Sequence, residues 1–417
     1  ISNGAIPNVN MIYTLCVPNS DKHLEILQLL LNSKIDVNDF DKTKDSPLFY
    51  ACQKGALEQV RLLLKYGATV DYQNDKGNTP LWIACCNNRI DIVTELLTCG
   101  ANPNHKNIKG DTAIISCCQR GNEEMAILLL TCGADVDNCN SNGDTPIIIS
   151  CRTGQYKILD ILLRKSPDIK KSLEHKAIVD GFNPLLAAVE ADKVQCIKIL
   201  HTYKAELECR TDKDNQIIQY STPLHLAAFY GRYSSAVELI KLGANVNSVD
   251  INGCTPLHIA IKQNQPKIVK LLKNSNADLN TKDNYGRTPL YYSKNNIEIE
   301  NSLIDPAYNI LMKLASVEFN EIDELNACKI LKDNTGVVGC LTPQQALDIS
   351  LGDGITPLIQ ASKHNHTLII KTLLELGANP LLKDSNGICA AVWILWNNNN
   401  EIKTMLSDEI LNNRYID

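Results

Sequence analysis

Between residues 79 and 104 the apolar and polar positions fall into two short blocks, each with a helical period. Small and apolar residues gather around Ala84, and Ile90, Val93, Leu96 and Leu97 then recur at the three- and four-residue steps of one helix face. A polar turn separates the blocks, and Gly100-Ala101 closes the second as a helix C-cap would. The pattern predicts a helix–turn–helix unit.

The same pattern returns along the chain. Thr-Pro-Leu-like tripeptides begin at Ser46, Thr79, Thr112 and Thr145, separated by one constant step, a period of about 33 residues. They resume at Asn183, Thr222, Thr255, Thr288 and Thr356, with an eroded copy at Cys389. The Thr caps the first helix of each unit, and the Pro occupies its first turn, where a missing N–H costs nothing. A Gly such as Gly77, Gly110 or Gly143 precedes the Thr by two residues, as a tight turn requires.

These motifs resemble those of the ankyrin-repeat family. The residues carrying the resemblance are 222-TPLHLAAFYG-231, 255-TPLHIAI-261 and 94-TELLTCGANPN-104, and it extends over roughly residues 20 to 410. It implies an all-α fold: a curved solenoid of about 10 to 11 helix–turn–helix units with hairpin fingers projecting from one edge. Such a stack buries its core only between neighbours and is expected to behave as one cooperative body.

The expected organisation is a divergent N-terminal capping repeat over 1–41, four regular repeats over 42–165, and further repeats over 166–296 with two finger insertions. The insertions follow from the intervals after Thr145 and after Asn183, both of which run longer than the period. The interval from Thr288 to Thr356 spans slightly more than two periods and leaves room for one degenerate repeat over 297–351, with helices around 307–315 and 321–331. Residues 352–417 read as C-terminal repeats and a cap carrying Trp393 and Trp396.

Composition and charge narrow the function. The formal charge is −6, and residues 297–351, with nine acidic and three basic residues, carry a balance of the same size. No general attraction to phosphate backbones follows, so nucleic acid is not an expected partner. No apolar run is long enough for a membrane span, and no signal-peptide order appears, so a cytoplasmic, reducing compartment is expected. Sixteen cysteines in 417 residues fit that compartment as free small hydrophobes. The first residue is Ile1, which points to a piece of a longer polypeptide.

Candidate chemistry is weak against this architecture. Cys52, Cys85, Cys118 and Cys151 recur at the interval of the repeat itself and should form a ladder of inner-helix rungs too far apart to pair as disulfides. Cys99 and Cys132 share another position, and both sets read as core or groove-lining residues. Cys86 falls one place later, where the family's inner helices face the groove, and is expected to be the accessible thiol. There is no Cys-x-x-Cys pair, so no metal and no cofactor is expected. His225 and His258 belong to the two Thr-Pro-Leu-His motifs, where the resemblance implies a turn-steadying role. The strings 364-HNH-366 and 336-GVVGC-340 read as an interhelix turn and a loop rather than a nuclease motif or a phosphate loop.

Binding is the better-supported function. In the family, finger tips and inner helices present one continuous concave surface. The resemblance puts Phe229 and Tyr230 on one inner helix, Tyr285 and Arg287 on a finger, and Tyr220 and Tyr233 close by. Aromatic residues and Arg dominate interface energy, at about 2 kcal/mol or more each at a hot spot. Lys42, Lys54, Lys76, Lys109, Arg120 and Arg152 form a modest basic stripe on earlier units, suited to an acidic partner or to the chain's own acidic segment.

The expected function is therefore a non-enzymatic protein-interaction module or scaffold, its partner another protein or another domain of the same polypeptide. One alternative is the recognition or regulatory arm of a larger enzyme, channel or secreted effector. Another is an enzyme using the 297–351 segment, with Cys328 or Cys340 as its thiol.

Overall fold

The computed structural model describes residues 9–18, 21–33, 35–212, 218–293 and 354–397, with single positions or short runs at 299, 328, 347–348, 400, 402–404 and 406. The chain divides into two compact units, Ile1–Glu206 and Leu207–Asp417. The degenerate repeat expected at 297–351 falls almost entirely outside the described residues, as does Cys340.

The first unit is built from pairs of short helices. After α1 (Val9–Leu15) and α2 (Asp21–Asn32), the regular pairs are α3 (Pro47–Lys54) with α4 (Leu57–Lys65) and α5 (Pro80–Cys86) with α6 (Ile90–Thr98). Next come α7 (Ala113–Arg120) with α8 (Glu123–Thr131) and α9 (Pro146–Thr153) with α10 (Tyr156–Lys165). A short α11 (Ile169–Glu174) precedes the last pair, α12 (Pro184–Glu190) with α13 (Val194–Thr202). The first expected insertion is thus spent on a helix as well as a finger, and Asp168 caps that helix by accepting from the Lys171 N–H.

Each first helix starts for the same reason. The Thr79 hydroxyl accepts from the Trp82 N–H at 3.2 Å while Pro80 opens the helix, and Thr145 with Pro146 repeats the arrangement. At the end of each first helix the chain turns left-handed, with Gly at 55, 121 and 154 but Asn88 (φ 54°) and Asp192 (φ 54°) elsewhere in this unit. Asn and Asp tolerate that backbone better than other side chains do, so the turn persists where the Gly is lost.

Successive first helices pack most closely, α3 on α5, α5 on α7 and α7 on α9, and the second helices cover them from outside. The second helices bury a stripe at helical spacing: Val60 and Leu63, Val93 and Leu96, Met125 and Leu129 are all 0% exposed. Burying each such side chain contributes about 2 kcal/mol.

The fingers are held by one repeated side chain. The Asn107 Oδ1 accepts from the Lys109 and Asp111 N–H groups, both at 2.9 Å, and its Nδ2 donates to Asn78 Oδ1 on the preceding finger at 2.9 Å. Asn74 and Asn140 repeat this arrangement, each folding its own turn and reaching back one finger. Backbone bonds run alongside, Ile108 N–H to Lys76 O at 3.1 Å and Ser141 N–H to Lys109 O at 2.8 Å.

The second unit carries α14 (Pro223–Tyr230), α15 (Tyr233–Lys241), α16 (Pro256–Lys262), α17 (Pro266–Asn274) and a 3-10 turn at Pro289–Ser293. Further along come α18 (Pro357–Lys363), α19 (Thr367–Glu375) and α20 (Ala390–Trp396). Here Asp250, Asp283 and Asp384 take the finger position, each accepting from the N–H groups two and four residues on. Among the described residues there is no β-strand, only an isolated bridge between Lys383 and Cys389.

The finger turns carry the tightest steric demand. Gly110 has φ +74° and its absent Cβ would stand 2.7 Å from the Ser141 N, whereas Gly100 has φ +88° with open space around it. Gly110→Ala is therefore expected to cost about 2 to 3 kcal/mol and Gly100→Ala about 1 kcal/mol, read as urea-unfolding midpoints.

Candidate functional site

The four ladder thiols lie in the core. Cys52, Cys85, Cys118 and Cys151 are all 0% exposed, and no disulfide forms among the described cysteines. Their contacts run diagonally: Cys85 meets Cys117 and Cys151 meets Cys196, so a rung touches a residue beside the next rung. Burial pushes the Cys16 and Cys118 thiols up to about 12 and raises Cys52 as well.

Two thiol expectations are corrected. Cys86 is 8% exposed, not open to solvent, because it closes α5 against α7 beside Ser116 and Arg120; burial raises its thiol, with those two neighbours opposing. Cys99 and Cys132 are exposed rather than groove-lining, since each occupies the C-cap of an outer helix, on the far side from the first helices. Cys328 is 8% exposed.

The two motif histidines are inter-repeat staples. His225 Nδ1 accepts from the Thr222 N–H at 3.3 Å, which leaves the proton on Nε2 to reach the Cys254 carbonyl at 2.9 Å. His258 does the same with Thr255 at 3.1 Å and the Arg287 carbonyl at 3.2 Å. Each neutral ring therefore caps its own helix and hydrogen-bonds the next finger. Burial lowers His225 to about 4, outweighing the bond to Cys254, and lowers His258 in the same direction. The Asn of 364-HNH-366 sits at φ 58° in an interhelix turn. Among the described residues no group of three or more His, Cys, Asp and Glu could hold a metal ion.

The expected basic stripe separates into different roles. Arg120 ends α7 exposed. Arg152 is instead consumed inside the first unit: its Nε lies 3.2 Å from Asp144 Oδ1, its Nη1 2.9 Å from Glu190 Oε2, and its Nη2 bonds Asp180. The physical reason is that Asp144 is almost fully buried, so burial pushes its carboxyl up and only the Arg152 cation opposes the shift. The Arg that the sequence placed in a binding stripe is thus a counter-ion for the fold.

In the second unit the aromatic candidates are gathered around cations. Tyr220 is 38% exposed with φ 51°, a backbone that bulky side chains rarely adopt. Arg210 stacks on its ring at 4.5 Å and donates to the Tyr220 and Val249 carbonyls at 2.9 and 2.8 Å, tying two fingers together. Phe229 and Tyr230 end α14 edge to face, 5.1 Å apart, with Arg232 over the Tyr230 ring. Tyr233 opens α15, 44% exposed.

Tyr285, 72% exposed, and Arg287 lie in a group that the sequence only half reveals. The Arg287 guanidinium sits 4.4 Å from the Tyr285 ring and 4.9 Å from that of Tyr292, with Tyr291 at 5.7 Å. Lys262, at the end of α16, stands 4.1 Å over the Tyr292 ring. Tyr291 and Tyr292 were legible in principle, because they occupy the His-Leu places of the Thr288-Pro289-Leu290 unit. Lys262 carried no such signal; the end of its helix meets the next unit only in three dimensions.

Sequence profiles of known families match most of the chain. "Ankyrin repeats (3 copies)" matches residues 14–107, 91–173, 169–250 and 224–314, and "Ankyrin repeat" matches 353–385. Among curated proteins, the E3 ubiquitin-protein ligase HACE1 of Xenopus tropicalis is 44% identical over 69 residues, 16% of this chain and 8% of that protein. The Danio rerio ligase of the same name is 45% identical over 65 residues, 15% of this chain and 7% of its own length. The chain therefore matches less than a tenth of the length of these relatives. Among solved structures, the human ASB11 ankyrin repeat domain aligns at 25% identity with a TM-score of 0.47, over 54% of this chain and 96% of that one. No helix among the described residues is long and apolar enough to cross a membrane.

The buried polar groups set two expected outcomes. His225, shifted from 6.5 to about 4, favours the fold only while neutral, so its contribution is complete above about pH 6.5 and is lost as pH falls through about 4. Urea midpoints should fall across that window by an amount on the order of 3 kcal/mol, and His225→Leu should flatten the dependence. Arg152→Ala, which strands Asp144, should cost about 1 to 3 kcal/mol after allowing for partial exposure, against under about 0.5 kcal/mol for Arg120→Ala.

Proposed function

This chain belongs to the ankyrin-repeat family, and from that membership we propose that it is a protein-recognition module or scaffold holding a polypeptide partner against its inner helices and fingers. Ankyrin repeats are in general protein-interaction modules. The observation that carries the reading is the concentration of aromatic side chains braced by arginines in the second unit, with Tyr220 and Tyr285 exposed and Tyr230 half-buried: Tyr220 on Arg210, Tyr230 under Arg232, and Tyr285 with Arg287. Such pairs are preordered, so a partner loses little side-chain entropy by docking on them.

The binding residues on this reading are Tyr220, Phe229, Tyr230, Tyr233, Tyr285 and Arg287, with Arg120 as a further exposed contact. Cys86 and Arg152 are not among them, since one is enclosed and the other is internally paired. The buried free thiols suit a reducing, cytoplasmic setting.

A second reading is favoured by the resemblance to E3 ubiquitin-protein ligases over 69 residues: the repeats would be the recognition arm of a larger enzyme. The shared stretch is a small part of those proteins, so it supports a common recognition region and no catalytic step.

Affinity capture with the full chain, followed by mass spectrometry, would identify partners, and a variant would test the surface. Phe229→Ala with Tyr230→Ala should weaken a captured partner by about 2 kcal/mol or more, roughly thirtyfold in Kd, without loss of helical circular dichroism. Unchanged affinity in a folded double variant would remove this surface from the reading.

A further inference from the structure

The second unit holds a charge inversion that the whole-chain balance hides. From Ile218 to Ser293 there are eight Lys and Arg residues against four Asp and Glu, a net of +4 in a chain whose formal charge is −6. The carboxylates of this stretch are largely spent on the fold. Asp250 and Asp278 accept from backbone N–H groups of their own turns. Asp283 accepts from the Tyr285 and Arg287 N–H groups and from the Tyr292 hydroxyl, and its side chain is 0% exposed.

Three of the cations, Arg232, Lys262 and Arg287, lie over tyrosine rings instead, and Lys262 also donates to the Cys254 thiol at 3.0 Å. Arg287 reaches Asp283 only through Nε at 3.4 Å, and that Nε makes no hydrogen bond. It lies against the Tyr285 and Tyr292 rings, and exposed Lys262 also stands over the Tyr292 ring. A guanidinium braced by rings and not clamped by a bidentate carboxylate keeps a fork that matches an incoming carboxylate. Tyr285, 72% exposed, and Tyr291, 39% exposed, add apolar surface beside it.

We propose that the patch of Lys262, Arg287, Tyr285, Tyr291 and Tyr292 docks an acidic polypeptide segment, whose carboxylates meet the two cations while its apolar side chains cover the tyrosines. This rests on the protein-recognition reading above and adds the chemistry of the partner. A nucleic-acid strand fits the same site less well. Lys267, Lys270 and Lys273 lie on α17, the outer helix, so the cations do not form one track for successive phosphates. The Tyr291 and Tyr292 rings meet edge to face at 5.5 Å, and cations already occupy tyrosine faces on which bases would stack.

The test is fluorescence anisotropy of a labelled Glu/Leu dodecapeptide with the full chain, at low and at near-physiological salt. Lys262→Glu should weaken binding about tenfold or more, Tyr285→Ser about threefold, and Lys270→Glu, the same charge change on the outer helix, less than about twofold. Both patch side chains protrude from the fold, and circular dichroism with a melting curve confirms that each variant is folded. An equal loss with Lys270→Glu would overturn the proposal by reducing the effect to overall charge, as would the absence of peptide binding. Tighter binding of a labelled oligouridylate with the same dependence on Lys262 would overturn it in favour of nucleic acid. If the peptide result fails while capture of a partner still depends on Phe229 and Tyr230, the recognition reading stands and only the acidic partner is rejected.

Discussion

The interaction on which the stack depends is the finger Asn or Asp that satisfies two backbone N–H groups of its own turn. Where it is Asn, as at 74, 107 and 140, the amide also donates to the finger before it. One helix pair cannot bury its own stripe, so each repeat depends on its neighbour arriving in register. A side chain that shapes its own loop and bonds the adjacent one couples local conformation to that register, and the neutral imidazoles of His225 and His258 do the same from the helix side.

That coupling explains where chemistry is absent and where it is present. Residues at the interface between successive first helices must be small or apolar, and cysteine meets both conditions, which accounts for a fully buried ladder at 52, 85, 118 and 151. Burial then raises the Cys52, Cys118 and Cys151 thiols and takes them out of nucleophilic chemistry. The charged pairs follow the same rule. Arg152 and Asp144 stand at the end of a first helix and the base of its finger, and the burial of Asp144 draws the Arg inward. At the matching places of a later repeat the pair is Lys262 and Cys254, 3.0 Å apart. A thiol asks less of its neighbour than a carboxylate does, and Lys262 stays exposed above the Tyr292 ring.

The difference between those two pairs shows how a repeat architecture acquires a surface. The backbone positions are equivalent and the packing constraint is shared, so function is written in which side chains the constraint leaves over. In the first unit some of the leftover charges pair with one another, as Arg61 does with Glu58 and Glu95. In the second, aromatic rings take the place of carboxylates as supports for cations.

Local rules were enough to specify the repeat: period, caps, turns and the apolar stripes of the second helices were all legible along the chain, because each rule is restated in every unit. The structural role of His225 and His258 and the ladder of rungs were legible for the same reason. Exposure and pairing came only with the assembled stack. Cys86 is enclosed by Ser116 and Arg120 from the next repeat, and Cys99 and Cys132 face outward. Arg152 is claimed by carboxylates 28 and 38 residues further along, and Arg210 reaches across to a finger 39 residues away. A period states which positions are equivalent, but the environment of each depends on the side chains that its neighbours bring, and those contacts exist only once the stack is formed.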